Sequence, residues 1–338
     1  MSEQVSTSYA GTLQGLVATL QGMDLDADAI LAEAGFDTDS SSKYDARVPL
    51  GSISAIVDRV TGSKFGPVFG LRYAENVHAT TYHSFGIMLI SSTSLRTFCE
   101  RLEQYYAYIN TNEQTTFTVQ NGVAELTYSA IEEFKNNDEA LAQISGWAAT
   151  WLKLIRMAYQ PDYSPTAVSF NCSPPSEQIQ EFERHFSCPL EFDAAQNKIV
   201  FPIADLDVPF PGGNAELARR SECMVFEYLK NLGRVDTVNE VRVALFELLP
   251  TGRFSLLDVA GVLKVEEAQL SHALRISNSS YQSILNNTRR ELAEEYISRA
   301  DITVGEVAYM LGFSDCSNFA RSFRRWTGKS PTEFRAVL

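Results

Sequence analysis

Apolar positions in the first third of the chain recur mostly at helical spacing. Residues 8–33 predict two short helices and residues 50–60 predict a third, because their apolar side chains return every three or four positions. A Ser- and Asp-rich stretch at 37–48 predicts a loop between these regions. Ser94 is placed to cap a further helix that begins at Leu95. This part of the chain therefore predicts mainly helical structure.

The apolar pattern changes to alternation in the middle of the chain. TTFTV and VAELTYS alternate on either side of Asn121-Gly122, a dipeptide that favours a two-residue hairpin turn. Helical spacing over Asn137–Ala158 predicts a long helix. Short strands are expected at 167–172 and 198–201, with a helix between them. Helices and strands together predict an α+β front domain.

Pro and Gly residues indicate where this front domain ends. Two prolines and two glycines fall within 205–214, and the last hundred residues then predict helices only. We expect an effector-binding or dimerisation domain at 1–212, a linker helix at 213–237 and an all-α domain at 238–338. The predicted fold class is an α+β domain followed by an all-α domain of two helix-turn-helix units joined by a long helix.

The clearer helix-turn-helix pattern lies at about 303–326. Its first helix is short and ends at Gly312, which can adopt the positive φ of a helix end. Ser314 is a good N-cap for the next helix, and Asp315 would be favourable in its first turn. Two helices joined by such a tight turn are typical of a DNA-binding module.

The second helix of this unit has two chemically different faces. Phe319, Phe323 and Trp326 recur at helical spacing and predict the inward face. The outward face carries small polar and basic groups, which can read base edges in a major groove. The candidate DNA-binding residues of this unit are Cys316, Ser317, Asn318, Ala320, Arg321, Arg324 and Arg325.

A second copy of the plan occupies about 256–275. Its recognition helix is expected at Glu267–Arg275, with Leu270 and Leu274 facing inward. A helix over Tyr281–Ser298 would join the two units and hold them about one DNA turn, roughly 34 Å, apart. The outward candidates for DNA contact in this copy are Ala268, Gln269, Ser271 and His272.

The string LGFSDCSNFARSFRRWTGKSP, with the preceding RRELAEEYI and VAYMLGF segments, resembles the signature of the AraC/XylS family of transcription regulators. The resemblance covers about 255–335. It implies promoter DNA and RNA polymerase as partners, and activation as the regulatory outcome. The strings SSTSL, FSCPLEF and LDVPFP in the front half are similar to the arabinose-binding type of N-terminal domain, which implies control by a small-molecule effector or by dimerisation.

The first unit departs from the family pattern at three positions. Lys264 stands where a turn glycine is usual, and a lysine with positive φ would be strained by about 1 kcal/mol. Asn278 replaces another glycine, and asparagine accepts left-handed geometry more readily than most residues. His272 stands where the family often has arginine. We therefore predict that the second unit supplies most of the attraction for phosphate.

The charge distribution supports this division. The net charge is −14, and all of it falls in residues 1–238, because residues 239–338 contain equal numbers of basic and acidic side chains. The segment Cys316–Lys329 has four basic residues and no acidic one. A compact basic face on a neutral module is sufficient for contact with phosphates.

Several other chemistries are not favoured by the sequence. The five cysteines and four histidines are scattered, without the spacing of a metal site or a disulfide framework. No nucleophile elbow, Walker loop or dinucleotide fingerprint is present, so neither an enzyme nor a cofactor is expected. Without a membrane-length apolar run or a secretory signal, we expect a cytoplasmic protein with no membrane partner.

Aromatic residues are dense in the front domain, and two interpretations remain open. They either pack in the core or line an apolar pocket whose polar groups orient an effector. A sugar would require carboxylates and amides, whereas an acyl chain or aromatic acid would require apolar walls and one cation; the few nearby amides favour the latter. The candidate effector-binding residues are Tyr82, His83, Tyr105, Trp147, Trp151 and Arg156.

Two further alternatives concern partners. The helix over Glu216–Leu232 either forms the seam of a homodimer or packs on the front domain. An interaction protein whose helix-turn-helix units no longer bind DNA is the second candidate for function, because the first unit has no surplus positive charge.

Overall fold

The computed structural model describes residues 6–36, 47–63, 65–120, 122–130, 134, 136–299 and 301–336. The chain divides into two compact units, with the boundary between Leu229 and Lys230. The sequence-based boundaries place a linker helix at 213–237. In the structure the corresponding helix, Ala215–Asn231, lies almost entirely in the first unit.

The first unit alternates helices and strands. Its elements are β1 (Thr7–Tyr9), α1 (Ala10–Gly22), α2 (Ala27–Glu33), β2 (Arg47–Pro49), α3 (Leu50–Thr61), α4 (Phe69–Asn76), α5 (His83–Ile90), α6 (Leu95–Tyr105), β3 (Glu113–Gln120), β4 (Val123–Ala130), α7 (Asn137–Ala158), β5 (Ala167–Ser169), α8 (Ile179–Phe186), β6 (Leu190–Glu191), β7 (Asn197–Phe201) and α9 (Ala215–Asn231). Short 3-10 turns precede α4, α5 and α8 and follow α6 and β7. The expected α+β composition of this unit is confirmed.

The larger sheet has the strand order β3-β4-β7-β5-β6 and is antiparallel except between β5 and β6. Gln120 pairs with Val123, so the predicted two-residue hairpin turn is confirmed by the register; Asn121 lies outside the described residues, and Gly122 has φ +82°. Buried side chains on β4 alternate with exposed ones, as expected for a sheet with one face covered.

Helix α7 is the centre of the first unit. Asn136 caps it, because its side chain accepts a hydrogen bond from the Glu139 backbone N–H at 2.8 Å. The ring of Trp147 packs 5.2 Å from that of Tyr128 on β4, which holds the helix on the sheet. On another side α7 contacts α4, where Gly70 lies so close that an added Cβ would be 1.9 Å from the backbone oxygen of Ala142. The helix therefore joins the sheet to the N-terminal helices.

A second, two-stranded sheet was not expected from the sequence. Residues 37–46 of the predicted loop lie outside the described residues, whereas Arg47 and Val48 belong to strand β2 rather than to a loop. The guanidinium of Arg47 donates to the side chain and backbone of Thr7 and to the carbonyl of Tyr108, at 2.7 to 2.8 Å. It thereby ties β2 to β1 and to the end of α6.

The second unit contains only helices among its described residues. They are α10 (Thr237–Leu248), α11 (Leu256–Leu263), α12 (Glu267–Ile276), α13 (Tyr281–Ser298), α14 (Val304–Met310), α15 (Cys316–Thr327) and α16 (Pro331–Arg335). The all-α fold class expected here is confirmed. Across the part of the chain that the structure describes, no helix combines the length and the apolar character that crossing a bilayer requires.

Replacing Gly70 by Ala should destabilise the first unit by about 1–3 kcal/mol, because its Cβ would force α4 and α7 apart. Urea-induced unfolding followed through tryptophan fluorescence measures this change, since Trp147 and Trp151 are both on α7. Gly22→Ala is the matched control. An added Cβ at Gly22 meets nothing within 4 Å, so this variant should be neutral or slightly more stable. Equal stability of the two variants would contradict the close helix contact.

Candidate DNA-binding interface and effector cavity

The turn of the second helix-turn-helix unit is built by its caps. Thr303 and Glu306 form a reciprocal capping box at the start of α14. The N-cap of α15 is Asp315, whose carboxylate accepts the Asn318 backbone N–H at 2.8 Å; this bond lowers the pKa of the carboxyl. The prediction that Ser314 is the N-cap is therefore wrong by one position. Both residues are good caps, and only the turn geometry decides between them.

Gly312 occupies a position that excludes a side chain for two reasons. Its φ is +71°, the left-handed region expected from the sequence. A Cβ here would also lie 2.2 Å from the ring of Phe254, which precedes α11. The turn of the second helix-turn-helix unit is thus packed directly against Phe254, at the beginning of the first helix-turn-helix unit.

The two faces of α15 are divided as the spacing predicts. Phe319 and Phe323 are fully buried, whereas Trp326 is half-buried. On the other side, four candidate residues are exposed along the helix, namely Cys316, Ser317, Arg321 and Arg324. Arg325 is also exposed, while Asn318 and Ala320 are half-buried. The structure therefore brings all seven candidates of this unit to one helix.

The beginning of α15 carries a short chain of polar contacts. The Arg321 guanidinium donates to the side-chain oxygen of Asn318, whose amide nitrogen donates to Asp315. Beside it lies a surface depression lined by the charged and polar side chains of Arg289, Ser314, Asn318, Arg321, Ser322 and Arg325. Such a concentration of guanidinium and neutral polar groups suits an anionic backbone.

The first helix-turn-helix unit has the same design with a different turn. Lys264 ends α11 with φ +57°, and Asn278 follows α12 with φ +50°, so both take the left-handed geometry discussed above. Leu270 and Leu274 are buried, as predicted. Ala268, Gln269 and His272 are exposed on α12 and Ser271 is half-buried, so the four candidates also share one helix.

Arg289 on the connecting helix α13 links the two helix-turn-helix units. Its guanidinium lies 4.7 Å from the ring centres of both Phe254 and Phe313. It donates to the carbonyls of Leu311 and Gly312 at 2.9 and 3.0 Å. One side chain therefore satisfies the carbonyls at the end of α14 while stacking on a ring from each unit.

The N-terminal compact unit, which ends at Leu229, contains a cavity of about 90 Å³. Its walls come from α1, α3, α4, α7 and the residues around the start of β3. Apolar side chains form most of the surface, and six aromatic residues contribute to it: Phe69, Tyr73, Tyr82, Tyr106, Trp147 and Trp151. The hydroxyls of Tyr73 and Tyr82 lie 2.8 Å apart.

A carboxyl group faces this cavity. Glu113 accepts hydrogen bonds from Tyr106 Oη at 2.6 Å and from Asn110 Nδ2 at 2.7 Å. Burial raises the pKa of the carboxyl, and the hydrogen bond from Tyr106 lowers it in part. Among the described residues that line the cavity, Glu113 is the only charged one, and none is Lys or Arg. Neither Glu113 nor Asn110 was anticipated, because no sequence pattern marks them.

The six predicted effector residues divide into two groups. Tyr82, Trp147 and Trp151 line the cavity. His83 is exposed instead, and Tyr105 donates a 2.6 Å hydrogen bond to the buried Glu222 of α9. A cavity with a carboxylate and two amides, those of Asn110 and Gln143, does not have the single cation that the sequence analysis favoured.

Arg156, the predicted cation, has a structural role. Its guanidinium donates to the carbonyls of Tyr163, His185 and Phe186 at 2.9 to 3.1 Å. Helix α9 packs inward through Val225 and Leu229, which are buried. The interpretation that α9 packs on the front domain thus agrees with the structure. Leu217 and Met224 remain largely exposed, although the sulfur of Met224 accepts a hydrogen bond from Ser84 Oγ at 3.5 Å.

Comparison with known proteins identifies the class. Residues 25–210 match the model of the arabinose-binding N-terminal domain of AraC transcription regulators, and residues 259–336 match a helix-turn-helix domain model. The chain therefore belongs to the AraC family and is a DNA-binding transcription regulator, as the resemblance implied.

Individual relatives agree with this assignment. The chain is 25% identical over 270 residues to the ornithine utilization regulator of Pseudomonas aeruginosa, covering 80% of this chain and 78% of that protein. It is 23% identical over 271 residues to the regulator VqsM of the same organism, covering 79% and 83%. The crystal structure of P. aeruginosa CdpR shares the fold, with a TM-score of 0.56, 18% identity and coverage of 96% of this chain and 98% of that one. These relatives are transcription regulators rather than enzymes.

Replacing Arg289 by Lys should loosen the second helix-turn-helix unit. Lysine keeps the charge but lacks the planar fork that reaches two carbonyls and stacks on two rings, so we expect a loss of about 1–3 kcal/mol. Hydrogen exchange measured by mass spectrometry should be faster across residues 304–327. Arg290→Lys is the control, because its exposed side chain pairs with Glu294 on the same helix. Unchanged hydrogen exchange in Arg289→Lys would show that the contacts of the Arg289 guanidinium are not needed to hold this unit together.

Proposed function

We propose that the chain activates transcription by placing α15 and α12 in the major groove of promoter DNA, with α15 as the principal contact. The exposed guanidinium of Arg321 carries this proposal, because it projects from the helix whose opposite face is anchored by buried Phe319 and Phe323. Arginine is the side chain that most often recognises guanine through paired hydrogen bonds. We expect the protein to act in the cytoplasm, where promoter DNA is found.

The two recognition helices should contribute unequally. On α15, Arg321, Arg324 and Arg325 are exposed, whereas the outward candidates of α12 are neutral apart from His272. Phosphate contacts are electrostatic and weaken with salt, so the basic helix should provide most of the attraction. Helix α12 would then add contacts that depend on shape and hydrogen bonding.

Arg321→Ala should weaken binding to a duplex selected from random DNA by the purified protein. We expect at least tenfold lower affinity and relaxed preference at one base pair, corresponding to about 1–3 kcal/mol. His272→Ala should have a smaller effect at the same salt concentration, and Arg290→Ala on α13 is the control. Fluorescence anisotropy measures all three. An effect of His272→Ala as large as that of Arg321→Ala would contradict the unequal division.

The salt dependence separates the contact types. Arg324→Ala should reduce the slope of log affinity against log salt by about one if it neutralises a phosphate. A wild-type protein that binds no duplex even in dilute buffer would support the alternative of an interaction protein.

Activation should be visible in transcription from the selected promoter with purified RNA polymerase. Adding the wild-type protein is expected to increase the amount of transcript, and Arg321→Ala should remove the increase because the regulator no longer occupies its site. A decrease with the wild-type protein would identify a repressor instead.

We also propose that a small-molecule effector occupies the cavity of the first unit and that the protein forms a homodimer. The cavity supports the first proposal, because it combines apolar walls with a few converging polar groups. The exposed Leu217 and Met224 on α9 support the second, and sedimentation velocity tests it. The front domain would thus bind the effector and form the dimer, and the all-α domain would recognise DNA.

A further inference from the structure

The cavity contains an acidic group that has no basic partner in the described lining. The two hydrogen-bond donors to the Glu113 carboxyl among the described residues are both neutral, since they are Tyr106 and Asn110. No Lys or Arg belongs to the described lining. Hydrogen bonds from neutral groups orient a carboxylate, but they do not replace the solvent that burial removes.

The position of this carboxyl is built rather than incidental. The backbone N–H of Asn112 donates to Asn110 Oδ1 at 2.8 Å, which orients the amide so that its Nδ2 points to Glu113. Tyr106 in turn packs edge-on against Trp151, with ring centres 6.1 Å apart. Both donors are therefore held by neighbours, and the carboxyl is presented at the cavity wall in one orientation.

The walls around it suit a positive charge. Trp147, Trp151 and Tyr82 are buried aromatic residues of the lining, and aromatic rings attract cations through their negative faces. An anion would be repelled by Glu113 and would meet no basic side chain. A purely apolar ligand would leave the carboxyl with its neutral hydrogen-bond donors alone and without a cationic partner.

One further polar group remains to be satisfied. The indole nitrogen of Trp151 is buried and has no hydrogen-bond partner among the described residues, whereas that of Trp147 donates to Thr115 Oγ1 at 3.2 Å. An unpaired buried N–H is unfavourable. The cavity itself offers the carboxyl group of Glu113 as an acceptor for a cation.

We propose that the effector is a small organic ammonium compound, with the Glu113 carboxylate as its counter-ion and the aromatic rings of Trp147, Trp151 and Tyr82 as its walls. This inference rests on the proposed role of the cavity as the effector site. The volume of about 90 Å³ holds roughly six water-sized groups, so the ligand is a short-chain molecule.

The test compares four probes on the full-length protein at constant ionic strength and neutral pH. They are n-butylamine, which is protonated there, n-butanol, butyrate and L-arabinose. Thermal unfolding and tryptophan fluorescence report binding, because a ligand that binds only the folded state stabilises it and because Trp147 and Trp151 line the cavity. Butylammonium is expected to stabilise the protein and change the fluorescence, whereas the other three have little effect.

Glu113→Gln removes the charge while keeping nearly the same shape. We expect at least about tenfold weaker binding of butylammonium and no comparable loss for butanol. Glu125→Gln is the matched control on the adjacent strand β4, where the carboxylate pairs with Lys198 at 2.7 Å and does not line the cavity. The comparison of probes uses wild-type protein alone, so it remains decisive even if Glu113→Gln does not fold.

Each other result overturns the ammonium assignment. Binding of butanol, butyrate or arabinose as strong as that of butylammonium would assign a neutral or anionic ligand class, and absence of butylammonium binding would reject the ammonium class directly. An unchanged response in Glu113→Gln would remove its counter-ion. DNA retardation run in parallel separates the two levels, because the Arg321 results on DNA stand or fall independently of any probe.

Discussion

The DNA-binding unit depends on the contact between Arg289 and the turn at Leu311–Gly312. A helix-turn-helix places its second helix only as accurately as its turn is supported, and here the two carbonyls of the turn are bound by a guanidinium from the connecting helix. Phe254 and Phe313 cover the two sides of that group. Phe254 precedes the first helix-turn-helix unit, and Phe313 follows Gly312 in the turn of the second. The arginine therefore holds the two helix-turn-helix units in one arrangement.

The two recognition helices share this support but differ in electrostatic character. Arginines follow the exposed face of α15, whereas α12 presents small and amide side chains around His272 and a single arginine, Arg275, which lies 3.3 Å from the His272 ring. If both helices enter the groove as proposed, stronger attraction at α15 than at α12 would let the protein discriminate sequences without excessive non-specific affinity. The acidic first unit adds to this by discouraging contact between itself and DNA.

Local patterns predicted the elements well and the cavity poorly. Helix α7 begins and ends at the residues expected from its apolar spacing, and the hairpin follows from one dipeptide. Strands β1 and β2 have three residues each, too few for alternation to be recognised. Glu113 and Arg289 escaped notice for another reason. Their roles arise from contacts between residues distant in sequence, and such contacts have no period.

The hydrogen bond between Tyr105 and Glu222 determines how α9 is seated. Glu222 is fully buried in a helix face whose other buried side chains are apolar apart from Ser221, and Arg101 Nε lies 3.5 Å from its carboxylate. Sliding α9 by one turn along its axis would bring this carboxylate opposite hydrocarbon and leave it without a donor, which is strongly unfavourable. A single acidic side chain therefore sets the axial register of the helix, and with it the rotational phase at which the chain emerges at Asn231.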